Sequence, residues 1–71
     1  MNVIGSQVKQ IRKAQGLSQE QLAAKCNLLE WDLSRSTLAK IESKVRRITD
    51  FEVILMAKAL QVSIIELFPS E

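Results

Sequence analysis

Apolar residues along this chain recur at three- and four-residue intervals rather than in strict alternation, so the pattern predicts an all-α protein. Val8 and Ile11 share one face of a first helix from about Ser6 to Gln15, and Gly16 offers the left-handed residue that ends helices. Ser18 opens a second helix, with Gln21 three residues on completing a capping box. Ser34 opens a third, in which Leu38 and Ile41 face inward and Arg35, Ser36 and Lys40 are left outside. Thr49 with Glu52 caps a fourth that runs to about Gln61. Ser63 with Glu66 caps a fifth, ending near Phe68 just before Pro69.

This arrangement predicts a core of Val8, Ile11, Leu17, Leu22, Ala23, Leu38, Ile41, Ala57, Leu60, Val62 and Leu67, joined by Phe51 and by Val53 or Ile54. Seventy-one residues suffice for one domain over 1–71, with no repeat, linker or low-complexity run. A second, ligand-sensing domain has no room.

Ten basic against eight acidic residues give a net charge of only +2, but the distribution is uneven. Arg35, Lys40, Lys44, Arg46 and Arg47 fall within thirteen consecutive positions holding one acid, Glu42. Such a local excess neutralises phosphates while the rest of the surface stays balanced. Lys9 and Lys13, four apart on the first helix, read either as a solvated face or as contacts to a nucleic-acid backbone beside the site.

The lone Cys26 excludes an intramolecular disulfide and reads as a small buried residue, and no run of about 20 apolar residues is present, so a cytoplasmic location is expected. With one cysteine and no histidine the usual metal clusters and nucleophile–base pairs cannot be assembled. Neither a metal, a cofactor, a small-molecule substrate nor an enzymatic activity is expected, and no membrane association.

Gly16-Leu17-Ser18-Gln19, Leu22-Ala23 and Ser34-Arg35-Ser36-Thr37-Leu38-Ala39-Lys40-Ile41-Glu42 together resemble the phage-repressor/Cro-like (XRE-type) helix-turn-helix, a large family of DNA-binding transcriptional regulators. The resemblance runs from about Ile4 to Phe68, with the motif at about 18–43, and implies a five-helix lambda-repressor-like DNA-binding domain. The chain departs from the family in its turn. Asn27 to Leu33 separates Cys26 from Ser34, which lengthens the turn by about five residues and places Trp31 in it. Trp31 reads as a lid folded over the core, or else as a contact to a partner or nucleic acid.

The resemblance assigns the helix from about Ser34 to Ser43 to the major groove, where its N-terminal half reaches base edges. Arg35 then suits guanine, Ser36 and Thr37 act at short range, and Lys40 reaches a base or a phosphate. Gln19 matches a family position that hydrogen-bonds the DNA backbone, and the amides after Ser18 attract the same phosphate. Lys44, Arg46 and Arg47 serve as phosphate contacts or as a minor-groove arm. Related sequences commonly carry glycine at the position of Lys44. Lysine tolerates that geometry less well, so either the helix ends by another route or it runs further. Arg12 and Glu42 occupy positions that often form an ion pair in the family.

A regulator of this size needs two copies for specificity, and apolar character around Leu55, Met56, Ile64, Ile65 and Phe68 exceeds what one core requires. Leu55, Ile64, Ile65 and Phe68 are therefore assigned to a homodimer interface, with a palindromic double-stranded operator as partner. The expected function is a sequence-specific transcriptional regulator, a repressor. The alternative is a protein-interaction module or antitoxin-type partner on the same fold with weak or no DNA binding, favoured by the odd turn and the small net charge.

Overall fold

The computed structural model describes residues 2–69, and within them four α-helices and a closing 3-10 helix pack around one core. Helix α1 spans Gly5–Ala14, α2 Gln19–Leu28, α3 Arg35–Glu42 and α4 Asp50–Leu60, with the 3-10 helix at Ile64–Leu67. The fifth predicted helix is thus a single tight turn. Its four residues are too few for α-helical bonding, and Phe68 is held extended ahead of Pro69.

The helix starts are local. Ser18 Oγ accepts from the Gln21 amide at 3.0 Å while Gln21 Oε1 accepts from the Ser18 amide at 2.8 Å. Thr49 and Glu52 repeat the exchange, and Ser34 Oγ accepts from the Thr37 amide at 3.1 Å. Each capping residue also stands between two apolar positions, Leu17 and Leu22, Leu33 and Leu38, Ile48 and Val53, Val62 and Leu67, all on the core. An apolar residue before the cap packing with one four residues into the helix fixes the angle at which the chain enters.

Helix α1 begins one residue before the predicted Ser6 because its cap comes from upstream: Asn2 Oδ1 accepts from the Ile4 and Gly5 amides at 3.1 and 3.0 Å.

The helix ends share one device too. After α1 the Leu17 amide reaches the Arg12 carbonyl and Gly16 that of Lys13; after α3, Val45 reaches Lys40 and Lys44 reaches Ile41. Trp31 to Cys26 with Glu30 to Asn27, and Val62 to Ala57 with Gln61 to Lys58, close α2 and α4 in the same way. This pairing needs a left-handed residue. Glycine supplies it only at Gly16 (φ 73°); Glu30, Lys44 and Gln61 adopt φ 66°, 67° and 59°. Lys44 therefore ends α3 in the geometry that glycine favours, and α3 runs no further than Glu42.

The lengthened turn is shared between helix and loop. Helix α2 continues through Asn27 and Leu28, leaving 29–34 as the connection to α3. Trp31 and Leu33 turn inward and are part of the core rather than a cover over it. Asn27 Nδ2 donates to the carbonyls of Ala23, Trp31 and Leu33 at 2.9–3.0 Å, tying the loop back onto α2.

Of the predicted core, Val8, Leu22, Ala23, Leu38, Ile41, Ala57, Leu60 and Leu67 are buried, and Ile11, Leu17, Val53 and Val62 pack against them partly exposed. Ile4, Cys26, Met56 and Ala59 join them. Phe51 does not; it is 68% exposed, and Ile54 is exposed as well. Helix α4 is apolar almost all round, and Met56, Ala57 and Leu60 turn to the core while Phe51 and Ile54 are left on the other side.

Candidate nucleic-acid interface

Helix α3 buries Leu38, Ile41 and Glu42 and presents Arg35, Ser36 and Lys40 to solvent. Thr37 is half-buried, its hydroxyl accepting from Ser34 Oγ at 3.0 Å, so it is less available than its neighbours. Arg35, Ser36 and Lys40 thus form one outward face whose hydrogen-bonding groups are charged or small, a combination suited to base edges and phosphates.

Behind this face α3 is held by three contacts with α1 and the residues before it. Arg12 Nε donates to Glu42 Oε2 at 2.7 Å and Nη2 to Oε1 at 3.1 Å, a two-pronged pair with both side chains buried. Arg12 Nη1 also donates to the Leu17 carbonyl at 2.8 Å. Asn2 Nδ2 donates to the Ile41 and Arg46 carbonyls at 2.8 and 3.1 Å, so one side chain starts α1 and secures the end of α3. Gly5 approaches so closely that a Cβ there would collide with the Ile41 carbonyl oxygen. Asn2 and Gly5 were not singled out in the sequence, since both act through partners about forty residues away.

Gln19, assigned to the DNA backbone, donates from Nε2 to Glu42 Oε1 at 3.1 Å, and its second amide hydrogen remains for another acceptor. Glu42 therefore fixes the ends of α1 and α3 and orients a side chain at the start of α2. Ser18 is exposed, its hydroxyl capping that same helix.

Arg46 differs from its assignment as a free arm. Its guanidinium donates to Glu52 Oε1 and Oε2, both at 3.1 Å, and to the Arg47 carbonyl at 2.8 Å. The hydrogen bond from Arg46 holds the Glu52 carboxyl below the usual carboxylate range, and Thr49 adds to it. Much of Arg46's charge is already matched. Lys44 and Arg47 remain exposed on the same loop.

Leu55, assigned to an interface, packs partly against the core, and its neighbour Met56 is fully buried. Ile64, Ile65 and Phe68 are exposed, and with Phe51 and Ile54 they leave an apolar surface on α4 and the 3-10 helix. A groove of about 240 Å³ lies there, lined by Asp50, Val53, Ile54, Ile64 and Phe68.

Cys26 is buried, and burial pushes its thiol up to about 11. Among the described residues there is no cluster of metal-ligating side chains and no helix long and apolar enough to cross a membrane.

The family described as Helix-turn-helix (HTH_3) matches residues 8–67. The crystal structure of the restriction-modification controller protein C.AhdI from Aeromonas hydrophila superposes on this fold with a TM-score of 0.81 and 31% sequence identity, covering 94% of each chain. No curated protein matches.

Proposed function

The chain belongs to the helix-turn-helix family of DNA-binding transcription regulators, and from that premise we propose that it reads a palindromic operator as a homodimer and acts there as a repressor, in the manner of a restriction-modification controller. The observation that carries this reading is the outward face of α3, where Arg35, Ser36 and Lys40 stand free on a helix clamped from behind by Arg12, Asn2 and Gly5. A reading helix must present its side chains at a fixed angle, and these contacts serve that end.

Arg35 takes a guanine edge, Ser36 and Thr37 make short contacts, and Lys40 takes a base or phosphate. Ser18 and Gln19 at the start of α2 meet one phosphate, with Lys44 and Arg47 meeting others farther along. The apolar surface of Phe51, Ile54, Ile64, Ile65 and Phe68 joins two copies, which sets the two reading helices roughly 34 Å apart on successive turns of the duplex. The protein works in the cytoplasm by binding alone, without catalysis.

Selection of bound fragments from random duplex, followed by affinity measurement at two salt concentrations, tests the proposal. Enrichment of a two-fold symmetric sequence, with binding that weakens steeply as salt rises, is the expected result. Failure to enrich any sequence, with the protein folded, overturns it.

A further inference from the structure

A second groove, of about 160 Å³, lies between the C-terminal halves of α2 and α4 and is lined by Lys25, Leu28, Leu29, Lys58, Ala59 and Gln61. Leu28 is the most solvent-exposed of the large apolar residues, at 84%. A leucine left in water beside other apolar side chains, in a concave site, marks a contact surface more often than chance. The groove volume is close to that of the ~150 Å³ cavity that accepts a benzene ring, so it receives a single apolar side chain.

The groove faces away from α3. Successive residues turn about 100° around a helix, which sets Lys25 and Leu29 each about 160° from Asn27. Asn27 is the residue bonded to Trp31 and Leu33 in the connection to α3. Lys25 and Leu29 therefore lie on the flank of α2 that meets α4, and a molecule seated there leaves the outward face of α3 open.

Charge says what that molecule is. One lysine from α2 and one from α4 flank an apolar floor of Leu28, Leu29 and Ala59, and no acid lines the groove. We infer that this groove docks an acidic amphipathic helix of a partner protein, which inserts one leucine or phenylalanine between Lys25 and Lys58 and sets a carboxylate against each. A helix offers that arrangement because residues three and four apart share a face, so an apolar anchor is flanked by acids one turn either way. The protein would then hold DNA on one side and a protein helix on another.

The test titrates isotope-labelled full chain with a synthetic helical peptide carrying leucine at helical spacing between glutamates, and with its counterpart in which each glutamate is lysine. Saturable shifts at the amides of Lys25, Leu28, Leu29, Lys58 and Gln61 with the acidic peptide alone are expected. Lys58→Glu and Leu28→Ser, both at exposed positions, should each weaken that binding about tenfold while leaving the fold unchanged. Several outcomes overturn the inference: no saturable shift, or equal binding of the basic peptide; a loss of DNA affinity in Lys58→Glu as large as in Arg35→Ala, which makes DNA the occupant; or a drop in sedimenting mass with Leu28→Ser, which makes it a second copy.

Discussion

Arg12 and Glu42, thirty residues apart, meet through two parallel hydrogen bonds of 2.7 and 3.1 Å with both side chains buried. Removing one partner leaves a buried charge without its counterpart, at a cost of about 3–5 kcal/mol. Arg12→Ala should therefore destabilise the fold far more than Lys13→Ala, whose side chain lies in solvent. Melting curves of the two variants check this, and similar midpoints would show the pair to be unimportant.

The basic residues should separate by what they touch. Arg35→Ala should relax preference at one base position, losing about 1–3 kcal/mol of discrimination. Arg47→Ala should weaken all sequences alike and reduce the salt slope by about 1. Arg46, spent on Glu52, should change the slope little when replaced by alanine and lower thermal stability instead. Binding isotherms on specific and random duplex at several salt concentrations distinguish the three.

The Glu52 carboxyl, held below its ordinary range chiefly by Arg46, binds its proton less readily in the folded chain than in the unfolded one. Its contribution to stability is thus present above the unfolded pKa of about 4.3 and lost as pH falls through the lower folded value. The melting-temperature difference between wild type and Glu52→Gln should shrink on acidification from pH 7 to pH 3. A difference that stays constant would mean the carboxylate's charge plays no part.

Left-handed backbone at Gln61 costs a non-glycine residue about 1 kcal/mol or more. Gln61→Gly should raise stability by about 0.5 kcal/mol, once the added freedom of the unfolded chain is set against the relief. Lys44→Gly should do the same for the fold while weakening DNA binding, since a phosphate-contacting charge leaves with the strain. Chemical denaturation together with a binding assay separates the two effects.

Ile65, 78% exposed on the 3-10 helix, gives the direct check of association. Ile65→Glu should sediment as a monomer at concentrations where the wild type is a dimer, with its melting temperature unchanged. An unaltered sedimentation profile would place the interface elsewhere.

Much of this architecture was legible locally. The caps at Ser18, Ser34, Thr49 and Ser63 each stand where the sequence signals a start, because a cap and its partner lie within three residues. The family resemblance added the Arg12–Glu42 pair and the reading face of α3. What escaped was long-range or ambiguous in pattern. Asn2 works by reaching Ile41 and Arg46, and nothing near it in the chain announces that. The run Phe51 to Met56 is apolar on every side, so periodicity could not say that Met56 turns in and Phe51 out. Glu52 was readable as a capping residue, but its second hydrogen-bonding partner, Arg46, comes from across the loop. The paired apolar positions around each cap were in the sequence all along, and Leu33 with Leu38 would have placed Leu33 in the core.

The bracing of α3 by Asn2, Gly5 and Arg12 means that its tilt is set from the first helix rather than by the connection that precedes it. Residues 29–34 are then a spacer, and insertions or deletions in it alter the outline of the molecule without re-aiming the side chains that follow. Length variation in that segment and variation in what α3 reads become two independent quantities, open to change one at a time.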